Sequence, residues 1–211
     1  MIQAQQLLKK INALPFQSVT GVWYRGIRTE HLASPLQYSH STTSPSRFSD
    51  ASASRPTYPI LYFTEIHDVA LKEVSAVLSP VASGISIPNP AHSWTIINVS
   101  IALASVLDLT DEKVQKVLQT NFQELTGDWW GYRLRTGIGS SIKSSSQSAP
   151  TQKLGAALYD IPGLVGFMTV SAKDPIKRNL IVFPNKIKSS QDGQIEYIDP
   201  ATKKRHCIPL I

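Results

Sequence analysis

Cysteine, acidic side chains and long apolar runs are all scarce in this chain of 211 residues. The one cysteine, Cys207, cannot form an internal disulfide, and the five histidines are scattered rather than set at a metal-ligand spacing. A disulfide scaffold and a zinc module are therefore excluded, and no metal is expected. The sequence has neither a membrane-spanning apolar run of about eighteen residues nor the apolar stretch of a signal peptide, so we expect a cytoplasmic protein that does not enter a membrane.

What the chain does contain is enough apolar material for a core. Hydrophobic residues make up 42% of it and charged residues 17%, which excludes a disordered chain or a coiled coil. Its 21 basic residues exceed its 15 acidic residues, giving a net charge of +6. A positive net charge favours binding to nucleic acid, a phosphorylated cofactor or an acidic protein. It is also found in basic proteins that have no such partner.

The apolar pattern predicts a mixed α+β fold. Residues 2–14 have helical spacing, and the β-branched and aromatic run at 19–27 predicts a strand. The run at 60–63 predicts a strand that passes into a helix extending to Leu78, with Thr64 as its N-cap. Residues 94–107 are rich in strand formers, although their second half has a pattern that also suits a helix.

The second half of the chain adds helices and further strands. Thr110 is expected to cap a helix through Leu118, and a helix or turn should follow at 122–132. We predict strands at 164–170 and 179–183, a helix at 154–159, and a final hairpin at Asp192-Gly193 before 195–198. Two segments rich in serine, 34–59 and 137–152, are predicted to be loops.

Glu73 is the most informative single residue. Its predicted helix has an apolar face, and position 73 falls within that face. Burying an unpaired carboxylate costs several kcal/mol, so this side chain should meet a cation or line a cavity that holds a polar ligand. A structural salt bridge to Arg25 or Arg47 is the alternative explanation.

Arg25 near the end of the first strand and Arg47 in the serine-rich loop could both project into one cleft. A guanidinium offers a planar fork of donors suited to phosphate oxygens, although many arginines only cover surface or pair with a carboxylate. Tyr62 lies in a run that is apolar on both faces, which is typical of a core aromatic. Ser171 ends a predicted strand, where its hydroxyl could reach a ligand or bond its own backbone.

Other motifs give weaker indications of function. The segment from Gly137 to Ile142 lacks the third glycine of a dinucleotide fingerprint, and Cys207 has no base beside it except His206. The basic cluster at 203–206 suits a solvated turn or a weak nucleic-acid contact.

Taken in order, four segments resemble the RES domain family: Trp23-Tyr-Arg-Gly26, Ser46-Arg-Phe-Ser49, Ile60 through Glu73, and Gly166 through Ala172 with Asn179 through Pro184. The resemblance spans about residues 20–185, with 1–15 as an N-terminal amphipathic helix and 186–211 as a C-terminal hairpin of one domain covering 1–211. The arginine, glutamate and serine for which the family is named would be Arg25, Glu73 and Ser171. The family commonly has Gly-Gly-Arg-Trp-Asn where this chain has Pro45-Ser-Arg-Phe-Ser49.

The resemblance implies an ADP-ribosyltransferase-like α+β fold, with central β-sheets and flanking helices, and a toxin that destroys NAD+ and is neutralised by an antitoxin. Glu73, Arg25 and Tyr62 would then be catalytic, and Arg25, Arg47, Tyr62 and Ser171 would bind NAD+. Homo-oligomer formation is also implied, and contact with nucleic acid only through a partner. A nucleic-acid-binding or RNA-cleaving protein and a catalytically weakened interaction module are the alternatives.

Overall fold

The fold was analysed in a computed structural model, which describes residues 14–52, 54, 56–74, 77–78, 87–88, 93–134 and 148–209. The strands in these ranges are β1 Phe16–Arg28, β2 Leu61–Thr64, β3 Val77–Leu78, β4 Ile87–Pro88, β5 Trp94–Asp108, β6 Gly166–Val170, β7 Arg178–Val182, β8 Gly193–Ile198 and β9 Arg205–Ile208. The helices are α1 His67–Glu73, α2 Glu112–Leu118, α3 Phe122–Thr126, α4 Trp129–Leu134 and α5 Pro150–Tyr159. Single 3-10 turns lie between β1 and β2 at Thr29–His31 and Ser39–Thr42, and between β7 and β8 at Pro184–Lys186.

Five of the strands pair in a closed ring. Strand β1 pairs with β2 at one end and with β5 along almost its whole length, and β2, β7, β6 and β5 complete the circuit. All of these pairings are antiparallel except that of β5 with β6. Strand β5 also pairs with β8, and β9 extends the sheet from β8. The architecture is a mixed α+β fold with a strand barrel as its core.

Alternation along β5 explains why this segment is a strand throughout. Ile97, Val99, Ile101 and Leu103 are buried, whereas the residues between them are exposed. That period of two places one row of branched side chains in the interior of the ring. It is typical of a strand whose other face is exposed to solvent. The helical alternative for the second half of 94–107 was therefore wrong.

Helix α1 crosses β1 at a glycine. A Cβ added to Gly26 would lie 2.9 Å from a methyl of Val74 and 3.1 Å from the carbonyl oxygen of Ala70. The missing side chain lets the helix approach the strand closely. Since neighbouring strand residues face opposite sides, Tyr24 and Gly26 face the helix and Arg25 faces the ring interior.

The helix that follows β2 is shorter than predicted. It ends at Glu73, and Val77–Leu78 belong to a two-residue strand rather than to the same helix. The valines at 74 and 77 lose side-chain freedom in a helix and favour a strand. Thr64 is not the N-cap either, because it is the last residue of β2 and its hydroxyl donates to the carbonyl oxygen of Ile66 at 2.7 Å.

Three further boundaries differ from the prediction. The cap of α2 is Asp111, whose side chain accepts from the backbone of Lys113, while Thr110 bonds to Asp108. Helix α5 begins at Pro150, a residue preorganised for a first turn, and so extends into the predicted loop. The final hairpin joins β8 to β9 through residues 199–204, and Asp192-Gly193 instead leads into β8.

The remaining strands lie close to their predicted positions, at 166–170 and 178–182. In its described part, the loop over 34–59 holds a 3-10 turn and an isolated bridge between Ser46 and Ser49. The predicted helix at 2–14 and the loop residues 137–147 lie outside the described residues, apart from Leu14. No helix of the described ranges is long and apolar enough to cross a membrane.

Helix α5 holds the loop around residue 47 in place. The Gln152 side chain donates to the carbonyl oxygens of Ser46 at 2.9 Å and Ser49 at 3.0 Å. One turn further on, Gly155 lies against the carbonyl of Phe48 so closely that an added Cβ would overlap it. The close approach requires glycine at this position.

We predict that Gly155→Ala lowers the free energy of unfolding. Helix propensity alone would make this change stabilising by about 1 kcal/mol. Overlap with a backbone carbonyl should cost about 1–3 kcal/mol and reverse the sign. Urea denaturation measures the difference. Gly131→Ala in α4 is the control, because its added Cβ would meet only the exposed side chain of Asp128, which can move. Equal or higher stability of Gly155→Ala would contradict the prediction.

Candidate functional site

The carboxylate of Glu73 is anchored at the end of α1. Its side chain is half-buried, and Oε1 accepts a hydrogen bond from the Ser171 hydroxyl at 2.6 Å and another from the Asn179 amide at 2.7 Å. Ser171 follows β6, and Asn179 is the second residue of β7. Two adjacent strands of the ring thus hold the last residue of the helix.

Neutral donors, rather than a cation, satisfy this carboxylate. Within the described part of the chain, Glu73 forms no ion pair, so the predicted alternative of a salt bridge to Arg25 or Arg47 is not formed. The second oxygen, Oε2, has no hydrogen-bond partner among the described groups. One oxygen is therefore fixed to the scaffold, and the other makes no hydrogen bond to a described group.

Ser171 is fully occupied by these contacts. Its Oγ donates to Glu73 and accepts from the backbone N–H groups of Lys173 and Asp174, both at 3.1 Å. A hydroxyl has one proton and two lone pairs, so no capacity remains for a ligand in this arrangement. Of the two sequence-based predictions for this serine, the structure agrees with the turn residue that bonds nearby backbone. The hydroxyl is directed at Glu73.

Tyr62 lies on the same face of the sheet as Asn179. Thr64, two residues further along β2, is directly opposite Asn179 in β7, and residues two apart in a strand share a face. The Tyr62 hydroxyl donates to Ser46 Oγ at 2.8 Å and accepts from the backbone N–H of Phe48 at 3.2 Å. These bonds attach the loop that carries Arg47 to strand β2.

Arg47 is held by carbonyl groups at the end of α3. Its Nη1 donates to the carbonyl oxygens of Leu125 at 3.2 Å and Gly127 at 2.6 Å. Helix C-terminal carbonyls carry partial negative charge and favour a cation. Arg47 forms no ion pair with a carboxylate among the described residues. Contacts with the end of α3 hold its guanidinium, and α5 and β2 hold its loop.

Arg25 is on the other side of the sheet. Its Cζ lies 5.9 Å from the ring centroid of Phe63, and its Nε is enclosed without a hydrogen-bond partner in the described structure. Burial lowers the pKa of Arg25 to about 10. Burial, followed by the charges of Arg25 and His31, also lowers the pKa of His40. The structure thus brings Tyr62, Arg47, Ser171 and Glu73 together but does not bring Arg25 to them.

Electrostatics link Glu73 with Tyr62 and Arg47. Burial lowers the pKa of Arg47, and the charge of Glu73, followed by Tyr62 and Asp128, opposes that fall. Burial raises the pKa of Tyr62 to about 12 against the effect of its hydrogen bonds and of Arg47, and Glu73 raises it further. The site thus combines a carboxylate, a guanidinium and a phenol that stays protonated at neutral pH.

Sequence reasoning missed Asn179 as a site residue. A polar side chain at the start of an otherwise apolar strand was the available signal, but such a position is also typical of a strand end. Its role depends on a partner 106 residues away in the chain, which no local pattern reports.

These features define a mixed α+β protein whose site centres on a carboxylate between a helix end and a strand ring. No group of three or more His, Cys, Asp or Glu in the described ranges is placed to hold a metal ion. The family model of the RES domain matches residues 22–199, so the chain belongs to the RES domain family. This family is associated with toxin–antitoxin systems and with NAD. No curated protein sequence matches the chain significantly.

We predict that ionisation of Tyr62 lowers the stability of the folded protein at alkaline pH. Above its ordinary pKa of 10.0 the unfolded chain loses the phenol proton, whereas folded Tyr62 keeps it up to about 12. Its contribution to stability is complete below pH 10 and is lost as the pH rises towards 12. Denaturation midpoints from pH 9 to 11.5 should fall more steeply for the parent than for Tyr62→Phe. Parallel slopes would contradict this assignment.

Proposed function

We propose that this protein is an NAD+-degrading enzyme of the ADP-ribosyltransferase-like class that cleaves the bond between nicotinamide and ribose. The observation that carries the proposal is Glu73, a carboxylate with one oxygen anchored by Ser171 and Asn179 and the other without a described partner. A fixed carboxylate with a free oxygen suits a reaction in which positive charge develops. Membership of the RES domain family supports the same reading.

The proposed step breaks the C–N glycosidic bond of NAD+. The bonding electron pair leaves with nicotinamide, which becomes neutral, and positive charge appears on the ribose as an oxocarbenium-like centre. The free oxygen of Glu73 accepts from a ribose hydroxyl and stabilises that charge. Such electrostatic stabilisation is commonly a large part of enzymatic rate acceleration, because the group is oriented before the reaction begins.

The other residues bind and orient the substrate. The pKa of the Arg47 guanidinium is raised by the charge of Glu73, and we assign this residue to the pyrophosphate. Tyr62 orients the nicotinamide ribose with a neutral phenol. Ser171 acts at the nicotinamide end by holding Glu73. Arg25 lies on the opposite face of β1, so we assign it no contact with the dinucleotide.

The group that captures the ribose cation decides the product. Water gives ADP-ribose and a proton, and inorganic phosphate gives the 1-phosphate of ADP-ribose. We propose one of these two reactions in the cytoplasm, with residues 1–211 acting as one domain. An antitoxin partner would hold the activity in check, as the association of the family with toxin–antitoxin systems supports. Chromatography of products formed with and without phosphate separates the two.

Glu73→Gln should lower the turnover of NAD+ by at least about 100-fold, because it removes the stabilising charge while keeping the shape. Nicotinamide release by the purified protein measures this, and Glu112→Gln at the exposed start of α2 is the control. Release at the parent rate would refute the role of Glu73. Salt-sensitive RNA binding without NAD+ loss would favour the nucleic-acid alternative instead.

Arg47→Lys should raise the KM for NAD+ about tenfold, because the charge remains but the planar fork of donors is lost. The effect on kcat should be smaller. Arg25→Ala should change KM less than Arg47→Lys does, because Arg25 lies on the opposite face of β1. Lys113→Ala, on the exposed side of α2, is the control. An unchanged KM in Arg47→Lys would remove Arg47 from the binding site.

A further inference from the structure

The Asn179 side chain contacts Glu73 of helix α1, although its backbone lies within the sheet. Its side chain is 7% exposed, and its amide nitrogen donates to Glu73 Oε1 at 2.7 Å. In the strand register Asn179 lies between Thr64 of β2 and Thr169 of β6. Strand pairing on both sides fixes its backbone, so the direction of its amide is fixed relative to helix α1.

The acceptor end of the same amide is left unsatisfied. Asn179 Oδ1 is buried without a hydrogen-bond partner among the described groups, and the neighbouring Thr169 hydroxyl is in the same condition. Leaving a buried acceptor unpaired is unfavourable, and in native proteins such groups are few. An asparagine that only stabilised the sheet would gain nothing from this orientation. The contact that the orientation does provide is the one to Glu73.

Both groups on Oε1 can act only as donors towards it. The Asn179 amide nitrogen has no lone pair to offer, and the two lone pairs of the Ser171 hydroxyl are taken by the backbone N–H groups of Lys173 and Asp174. Donors of this kind stabilise an ionised carboxylate more than a protonated one. They also fix the plane of the carboxylate and hence the direction of Oε2.

We propose that Asn179 is a positioning residue that fixes the plane of the Glu73 carboxylate and so directs its free oxygen at the substrate. This inference rests on the proposed function for its kinetic consequence, but its structural part does not. A loss of the amide should leave Glu73 attached through Ser171 alone, with freedom to rotate.

Arg47 from the loop and Tyr62 from β2 interact electrostatically with Glu73. Helix α1 itself carries His67, Asp68 and Lys72. Asp174 is paired with Lys72 at 3.5 Å and Glu65 with Arg178 at 2.9 Å, so neither acidic group is an uncompensated charge beside Glu73.

Asn179→Leu tests the proposal, because it removes the donor at similar volume. In the nicotinamide-release assay kcat should fall about 10–100-fold, the factor that one hydrogen bond to a charged group provides. KM should change less than about threefold, because the amide acts on Glu73 rather than on the substrate. Thr169→Val is the matched control, since it removes a neighbouring buried polar group that does not bond to Glu73. An unchanged kcat in Asn179→Leu, or the same fall in both variants, would overturn the proposal.

A second measurement keeps the inference separate from the proposed function. The side-chain carboxylate 13C signal of Glu73, assigned by its loss in Glu73→Gln, should move and broaden at pH 7 in Asn179→Leu but not in Thr169→Val. Asn179→Ala provides the same test if the leucine variant is poorly folded. A parent protein that releases no nicotinamide would refute the enzyme proposal, while an unmoved carboxylate signal would refute the role of Asn179.

Discussion

The structure of the site depends on the hydrogen bonds that join Glu73 of α1 to Ser171 and Asn179 at the ends of two ring strands. A partly buried carboxylate needs compensation, and a cation would have neutralised it. Neutral donors on strand-fixed positions compensate it without cancelling its charge. The negative charge thus remains available on the side of the free oxygen, and the helix end is tied to the sheet by the same contacts.

The closed ring of strands explains why residues from distant segments meet at this point. Tyr62, Thr64, Asn179 and Thr169 share one face because their strands are aligned in register. Gly26 lets α1 pack directly on that face, so Glu73, the last residue of the helix, reaches Asn179. Arg25 is excluded from the group by the same alternation, since its neighbours Tyr24 and Gly26 occupy the helix side. The side of the sheet that a residue faces, rather than its distance along the chain, determines membership of the site.

Much of this arrangement was predictable from local patterns. The acidic residue on an apolar helical face indicated a site at Glu73, and β-branched alternation indicated most strands. The predictions failed where one local pattern suits two kinds of secondary structure or two caps. Valines near the end of α1 continue the helical spacing but favour a strand. Asp111 and Thr110 are both suitable N-caps for α2. Local patterns could not reveal that Asn179 and Ser171 act on one oxygen, that carbonyl groups hold Arg47, or that Arg25 faces away. Those facts depend on strand register and ring closure, which involve pairings between segments far apart in sequence.

The long sequence separation within the site has a consequence for biosynthesis. Glu73 is made 98 residues before Ser171 and 106 residues before Asn179. At typical translation speeds of about 5–20 residues per second, roughly 5–20 s pass before both anchors exist. A ribosome-bound chain that has not reached β7 holds this carboxylate on an unanchored helix. A truncated or stalled translation product therefore lacks the anchored carboxylate, and the arrangement around Glu73 is completed only when most of the polypeptide has emerged.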